Sequence, residues 1–209
     1  MSESSTRPGP DSPAVAVLAA GPGAPLERLR EATSRPGTRS ALLVLPDLWG
    51  PVAAEPDELA LLVQAVADVV VPTVAVLRSG ANAASVAVAL AADVRCGATG
   101  APWPVPVLTG ATAFTLERAL GRARARALLW GRLLDGPALS AEEALACGLA
   151  HSVDDDPLTA GRDRADALAA AGHRAAALKR LLDAAPGDVV EAARHEARLR
   201  AVVERAERT

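Results

Sequence analysis

Residues 116–153 read LERALGRARARALLWGRLLDGPALSAEEALACGLAHSV, and the rest of the chain is organised around this stretch. Its apolar residues Leu116, Leu120, Ala123, Ala127, Trp130 and Leu134 recur at helical spacing, while Arg118, Arg122, Arg126 and Arg132 fall on the opposite side. The pattern predicts one amphipathic helix with a basic, solvated face, closed by Gly136 and Pro137. Ser140 with Glu143 three residues on forms a capping box, which opens a second, short helix. Gly148 stops that helix, and residues 149–153 are short enough for an edge strand.

Ahead of this stretch, residues 73–96 read TVAVLRSGANAASVAVALAADVRC. The run 73–77 has the continuous apolar character of an interior parallel strand, and Pro72 is permitted just before it. A tight connection at 78–83 leads into a helix over 83–92. Ala, Ser and Val dominate that helix, so it is expected to be packed on all sides. Residues 93–96 return as a strand. Further upstream, SALLVL at 40–45 reads as another interior strand and AVAVLAA at 14–20 as a short buried one. Short helices are expected over 25–33, with Leu26 and Leu29 facing in, and over 57–69, capped at or beside Asp57. Residues 46–56 form the loop between strand and helix. Strands and helices alternating at this length predict an α/β fold with a mostly parallel sheet. The division expected is a disordered Ser/Pro/Gly-rich tail at 1–13, a core at 14–157 and a C-terminal helical oligomerisation region at 158–209.

Composition sets bounds on this reading. At 209 residues one domain is expected, and with aromatics at 2% its core must be built from Ala, Val and Leu. A net charge of −3 argues against a nucleic-acid binder, which needs a basic surface. Cys96 and Cys147 make no disulfide framework and suit a reduced cytoplasm. No apolar run reaches membrane-spanning length, because Asp68 interrupts the longest candidate, and residues 1–13 carry no signal-peptide pattern.

Two segments carry a resemblance to a family. The strand, Gly-containing turn, buried helix and strand of 73–96, matched at Gly80, Ala91, Ala92 and Asp93, resemble the crotonase (enoyl-CoA hydratase/isomerase) superfamily. So does 116–153, in which GRARA, SAEEAL and GL with a short apolar strand follow in family order. The resemblance implies a crotonase-like ββα spiral core with C-terminal helices, in a shortened chain whose first hairpin is reduced to one strand. Lys179 and the helical stretch 191–203 resemble the family's C-terminal helices, the last of which the chain lacks.

The chemistry so implied needs an oxyanion hole of two backbone N–H groups at a thioester carbonyl, and one or two carboxylates for proton transfer. One N–H is expected from the loop after the second interior strand, where the family has a pattern like Ala-Gly-Ala-Asp. Here that loop reads PDLWGPVAAEP, in which Gly50 either approaches a ligand or simply makes a turn. The other N–H is expected at the start of the buried helix, at Ala83, Ala84 and Ser85. The first family glutamate matches Ala87 or Val88, and the second matches Val107 in WPVPV. None of these side chains transfers a proton.

Asp47, at the end of an interior strand, is the substitute base the sequence offers, its alternative being a turn-forming Asp after Pro. Trp49 and Trp103 flank the two expected halves of the pocket and either line an acyl site or fill an Ala-rich core. Asp93 reads as structural, His151 as a packing or surface histidine, and His173 and His195 as solvated. No metal-ligand spacing, phosphate-binding loop or Ser-His-Asp arrangement occurs.

Two function classes follow. One is a partner protein lacking both glutamates, an accessory subunit in polyketide or other secondary-metabolite acyl-thioester biosynthesis. It would assemble as a homo-trimer or with a homologous crotonase subunit, a synthase or an acyl carrier. The other is an active isomerase, decarboxylase or lyase that uses the oxyanion hole and a non-standard base. No cofactor is expected, a CoA- or carrier-bound thioester being the substrate, and neither nucleic acid nor membrane is an expected partner.

Overall fold

The computed structural model describes residues 14–19, 24–45, 56–105, 112–135, 138–183 and 205–206. The expectations for residues 1–13, 46–55, 106–111 and 191–203 lie outside them.

The two continuous apolar runs form the centre of a parallel sheet. They are β2 (Ser40–Leu45) and β3 (Thr73–Leu77), and every side chain on both is buried. Strands buried on both faces lose the in–out alternation of a half-exposed sheet, which is why these segments read as unbroken apolar runs. β1 (Val15–Leu18) pairs with β2, and β4 (Val94–Ala98) pairs with β3. The third residue of β2, Leu42, stands opposite Val74. β7 (Ser152–Asp154) joins outside β4 as the expected edge strand, giving the order β1-β2-β3-β4-β7 with every pair parallel. A short second ladder pairs β5 (Trp103–Pro104) with β6 (Ala138–Leu139). The α/β class and its mostly parallel sheet stand as expected.

The faces of the sheet are covered unequally. On one lie α1 (Pro25–Ser34), α2 (Pro56–Ala67) and α3 (Ala83–Ala91), packed with Leu43, Leu45, Ala75 and Leu77 into the main core. On the other, Leu42, Val44, Val74, Val76 and Cys96 meet α7 (Pro157–Ala171), chiefly at Ala165. A Cβ built on Gly161 of α7 would lie 2.2 Å from Val76 Cγ2, so the helix rests directly on β3 only because this residue has no side chain. Close backbone approach stands in for the bulk that a chain so poor in aromatics lacks. The region 158–209 thus begins by sealing this chain's own sheet, before α8 (His173–Asp183) follows.

The expected single helix over 116–134 is two. α4 (Thr112–Leu120) ends at Gly121, whose φ of 77° belongs to the left-handed region, and α5 (Arg122–Asp135) starts afresh. The break resets the helical phase. Leu116 and Ala125 are buried and Leu128 and Leu129 partly so, whereas Ala123, Ala127 and Trp130 are exposed. Ala123, Ala127 and Trp130, assigned to the inner face beyond Gly121, therefore point outward. α6 (Ala141–Cys147) begins with the capping box: Glu143 N–H donates to Ser140 Oγ at 3.1 Å, and Ser140 N–H to Glu143 Oε2 at 2.7 Å. It ends at Gly148 with φ 86°. Among the described residues no helix is long and apolar enough to cross a membrane.

Candidate functional site

In a parallel α/β sheet, ligand sites gather where the strands end at their carboxyl edge. Here the ends of β2 and β3 are tied together, since Arg78 N–H donates to the Leu45 carbonyl at 2.9 Å. The chain then turns through Gly80, whose φ is 87° and around which a Cβ would meet open space, and enters α3. The segment bearing Asp47, Trp49 and Gly50 leaves β2 from the same edge, but these three residues, like Val107, lie outside the described residues.

The start of α3 is a capped helix N-terminus. Asn82 is the N-cap, and its Oδ1 accepts from Ser85 N–H at 2.8 Å and from Ser85 Oγ at 3.0 Å. This changes which donor remains. Ser85 is fully buried and its N–H is already engaged, so it does not face a ligand carbonyl in this arrangement. The N–H groups of Ala83 and Ala84, the two residues before it, make no hydrogen bond among the described residues, and both residues are only partly buried. They are the orphan donors that every helix start leaves, carrying the positive end of the helix dipole. A developing oxyanion is stabilised by such a place.

Among the described residues, no side chain of α3 beside them moves protons. Ala87 and Val88, one turn into α3, are both 0% exposed, packed in the main core. Trp103 is 2% exposed and belongs to the same core. Its ring lies over Gly97, where a Cβ would stand 2.4 Å from Trp103 Cζ2. This placement fits the core-filling reading of Trp103. Among the described residues no group of His, Cys, Asp and Glu is placed to hold a metal, and both cysteines are free. Burial pushes the Cys96 thiol up, which keeps it inert.

The ionisable groups lie instead at the other end of α3. Asp93 Oδ2 accepts from Thr73 N–H (2.8 Å) and Thr73 Oγ1 (2.9 Å), while its Oδ1 accepts from Lys179 Nζ at 2.9 Å. Lys179 is 4% exposed, and Asp183 Oδ2 approaches it at 3.5 Å. Asp183 in turn pairs with Arg118 of α4. Arg95, also 4% exposed, has no carboxylate bonded to it among the described residues. It donates to the carbonyls of Leu149 (Nε, 2.6 Å), Ala92 (Nη1, 2.9 Å) and Gly148 (Nη2, 3.4 Å), the C-terminal ends of α3 and α6. Helix C-termini carry partial negative charge, and here they take the place of a counter-ion. Burial lowers the guanidinium to about 10, against the raising effect of Asp93.

His151 Nδ1 accepts the Arg95 backbone N–H at 3.0 Å. Burial, then the Arg95 and Arg164 charges, lower its pKa to about 4, so the ring is neutral and bears its proton on Nε2. His151 is an exposed residue whose ring also packs on Arg95, which joins the surface and packing readings, and Asp93 is structural as read. The centrality of Arg95 and Lys179 was missed, because an isolated Arg or Lys in an amphipathic pattern reads as solvated.

No protein-family model and no curated protein matches the sequence. Solved structures do. One from Mycobacterium abscessus, described as a probable enoyl-CoA hydratase/isomerase, is 25% identical with a TM-score of 0.69, covering 92% of this chain and 87% of its own. An enoyl-CoA hydratase from Bacillus anthracis is 18% identical, with a TM-score of 0.65 and coverage of 84% and 78%. ThnE from S. clavuligerus is 20% identical, with a TM-score of 0.62 and coverage of 90% and 96%. The last two identities speak for the fold alone, and many further matches carry the same family description. The chain has the fold of these crotonase (enoyl-CoA hydratase/isomerase) structures.

Proposed function

We propose that this chain is an accessory subunit of acyl-thioester chemistry, able to hold and polarise a CoA- or carrier-bound thioester but not to transfer protons to it. The observation that carries the reading is Ala87, which stands fully buried on α3 at the position matched to a family glutamate. A methyl group there neither donates nor accepts, and its burial leaves no room for a water to act in its place. What supports retained binding is the pair of open N–H groups at Ala83 and Ala84. The fitting assemblies are a trimer of this chain or a complex with a homologous crotonase or synthase subunit, in polyketide or other secondary metabolism.

A second reading is favoured by those same N–H groups. Enolate stabilisation alone supports decarboxylation or isomerisation of a reactive thioester, with a base such as Asp47 beyond the described residues. Both readings place the ligand carbonyl at Ala84. Titrating an isotope-labelled protein with a non-hydrolysable acyl-CoA thioether tests this by NMR. The Ala84 amide is expected to shift, and Ala84→Pro, tolerated in a first helical turn but lacking the donor, to abolish the response. An unmoved Ala84 amide at saturating analogue contradicts the placement.

A further inference from the structure

The outward face of α5 is used neither by the core nor by the proposed site. Trp130 is 67% exposed, a costly disposition for the largest side chain in a protein with so few aromatics. Arg126 and Arg122 precede it at four-residue steps, so the three form one ridge along the helix. Ala123 and Ala127 lie beside the ridge, exposed and small, which leaves its flank flat. The inward face is already occupied by Ala125, Leu128 and Leu129. Charge on the ridge is barely compensated: Glu117 lies 3.9 Å from Arg122, with both side chains well exposed, and Arg126 has no ion-pair partner among the described residues.

We infer that this ridge docks the acidic helical surface of a thioester-bearing carrier protein, an inference that rests on the accessory-subunit reading and names its partner class. Three considerations select this occupant. Trp and Arg are the residue types that dominate binding energy when buried at an interface. The ridge spans two helical turns, about 12 Å, and is convex, so it suits a helix of another protein and not a free nucleotide, which takes a concave pocket. The ridge itself is locally cationic, and the exposed Arg122 and Arg126 guanidinium groups complement an acidic protein surface.

The test titrates the full chain with a holo acyl carrier protein of the acidic, bacterial fatty-acid-synthase type, across a series of salt concentrations. The expected result is affinity that falls as salt rises. Trp130→Ala and the double variant Arg122→Glu/Arg126→Glu should each weaken it by about tenfold or more. Arg30→Glu, at an exposed position of α1, serves as the charge control and is expected to leave affinity unchanged, with circular dichroism verifying that all variants fold. Absent binding, binding indifferent to the ridge, or a ridge that instead mediates self-association or RNA binding overturns the inference. Ridge-dependent carrier binding by a protein that also hydrates enoyl thioesters at an ordinary rate would remove the accessory reading and leave the docking surface. Carrier binding indifferent to the ridge in an inactive protein would do the reverse.

Discussion

At its start α3 meets Asn82, Ala83 and Ala84; just past its end come Asp93 and Arg95, with Lys179 and His151 packed against them. The start is capped by a neutral amide and leaves the Ala83 and Ala84 N–H groups without a hydrogen bond among the described residues. The far end is charged and rich in hydrogen bonds, with Arg95 and Lys179 buried. One helix thus separates a place that can polarise a carbonyl from a place that has the ionisable groups. General acid–base catalysis needs both within hydrogen-bond reach of one substrate. Charge in this fold ties sheet to helices at the end away from the open N–H groups.

The comparison breaks most visibly at Asp93. Asp93→Ala removes the near partner of a lysine that is only 4% exposed, leaving it only Asp183 at 3.5 Å, and strips two Thr73 donors of the oxygen they share. The expected loss is about 3 kcal/mol of stability, read from urea denaturation. Lys179→Met, which replaces the buried amine with an apolar chain of similar length, should cost clearly less. Equal losses would mean that the pair is not buried as described.

A smaller effect is expected at the opposite end. Asn82→Ala removes the cap on α3 and should cost about 1 kcal/mol, while Asn82→Gly should cost only a few tenths. The loss frees Ser85 N–H, so the same variant should also alter the response of the Ser85 amide to an acyl-thioether analogue. If Asn82→Ala is as damaging as Asp93→Ala, the two ends are not different in kind.

The smallest effect belongs to pH. His151 has a pKa of about 4 in the fold against 6.5 ordinarily. As pH falls through that window the unfolded chain takes up a proton that the native ring refuses, so stability declines from about pH 6.5 and levels off below 4. The ring retains an exposed edge, and solvent there screens the effect to no more than about 1 kcal/mol. His151→Asn keeps an acceptor for the Arg95 N–H and should flatten the acid limb of the stability profile. An unchanged slope would assign it to other groups.

The fold was largely legible because its centre is written in runs that admit few readings. The apolar segments of β2 and β3, the Ala-rich α3, the Ser140–Glu143 box and Gly148 each follow from local physics, and each formed where expected. The helix over 116–134 was misread because Gly121 inside a periodic pattern reads as a tolerated interruption. Its left-handed φ ended α4 and turned Trp130 outward. β6 escaped notice because two residues carry no periodicity, and its pairing with Trp103 is a contact between distant segments.

Of the candidate site residues, Ala84 lies at the start of α3 and Ala87 one turn in, as the sequence pattern predicts. That Asn82 would take Ser85's N–H was not legible, although an Asn directly before a helical run is the signal that would have found it. Arg95 and Lys179 were invisible as a clamp because their partners are carbonyls and a carboxylate brought together only by the sheet.

The central claim is that binding chemistry and proton-transfer chemistry are separated in this molecule. Its most direct test is the turnover of crotonyl-CoA to the hydrated thioester by the purified chain, followed with excess protein through a single turnover. Each missing general acid–base group typically removes ~10²–10⁴ from the rate. The account predicts hydration indistinguishable from the protein-free background, with Ala84→Pro making no difference to it. Hydration on the order of 10 per second, abolished by Ala84→Pro, would contradict it.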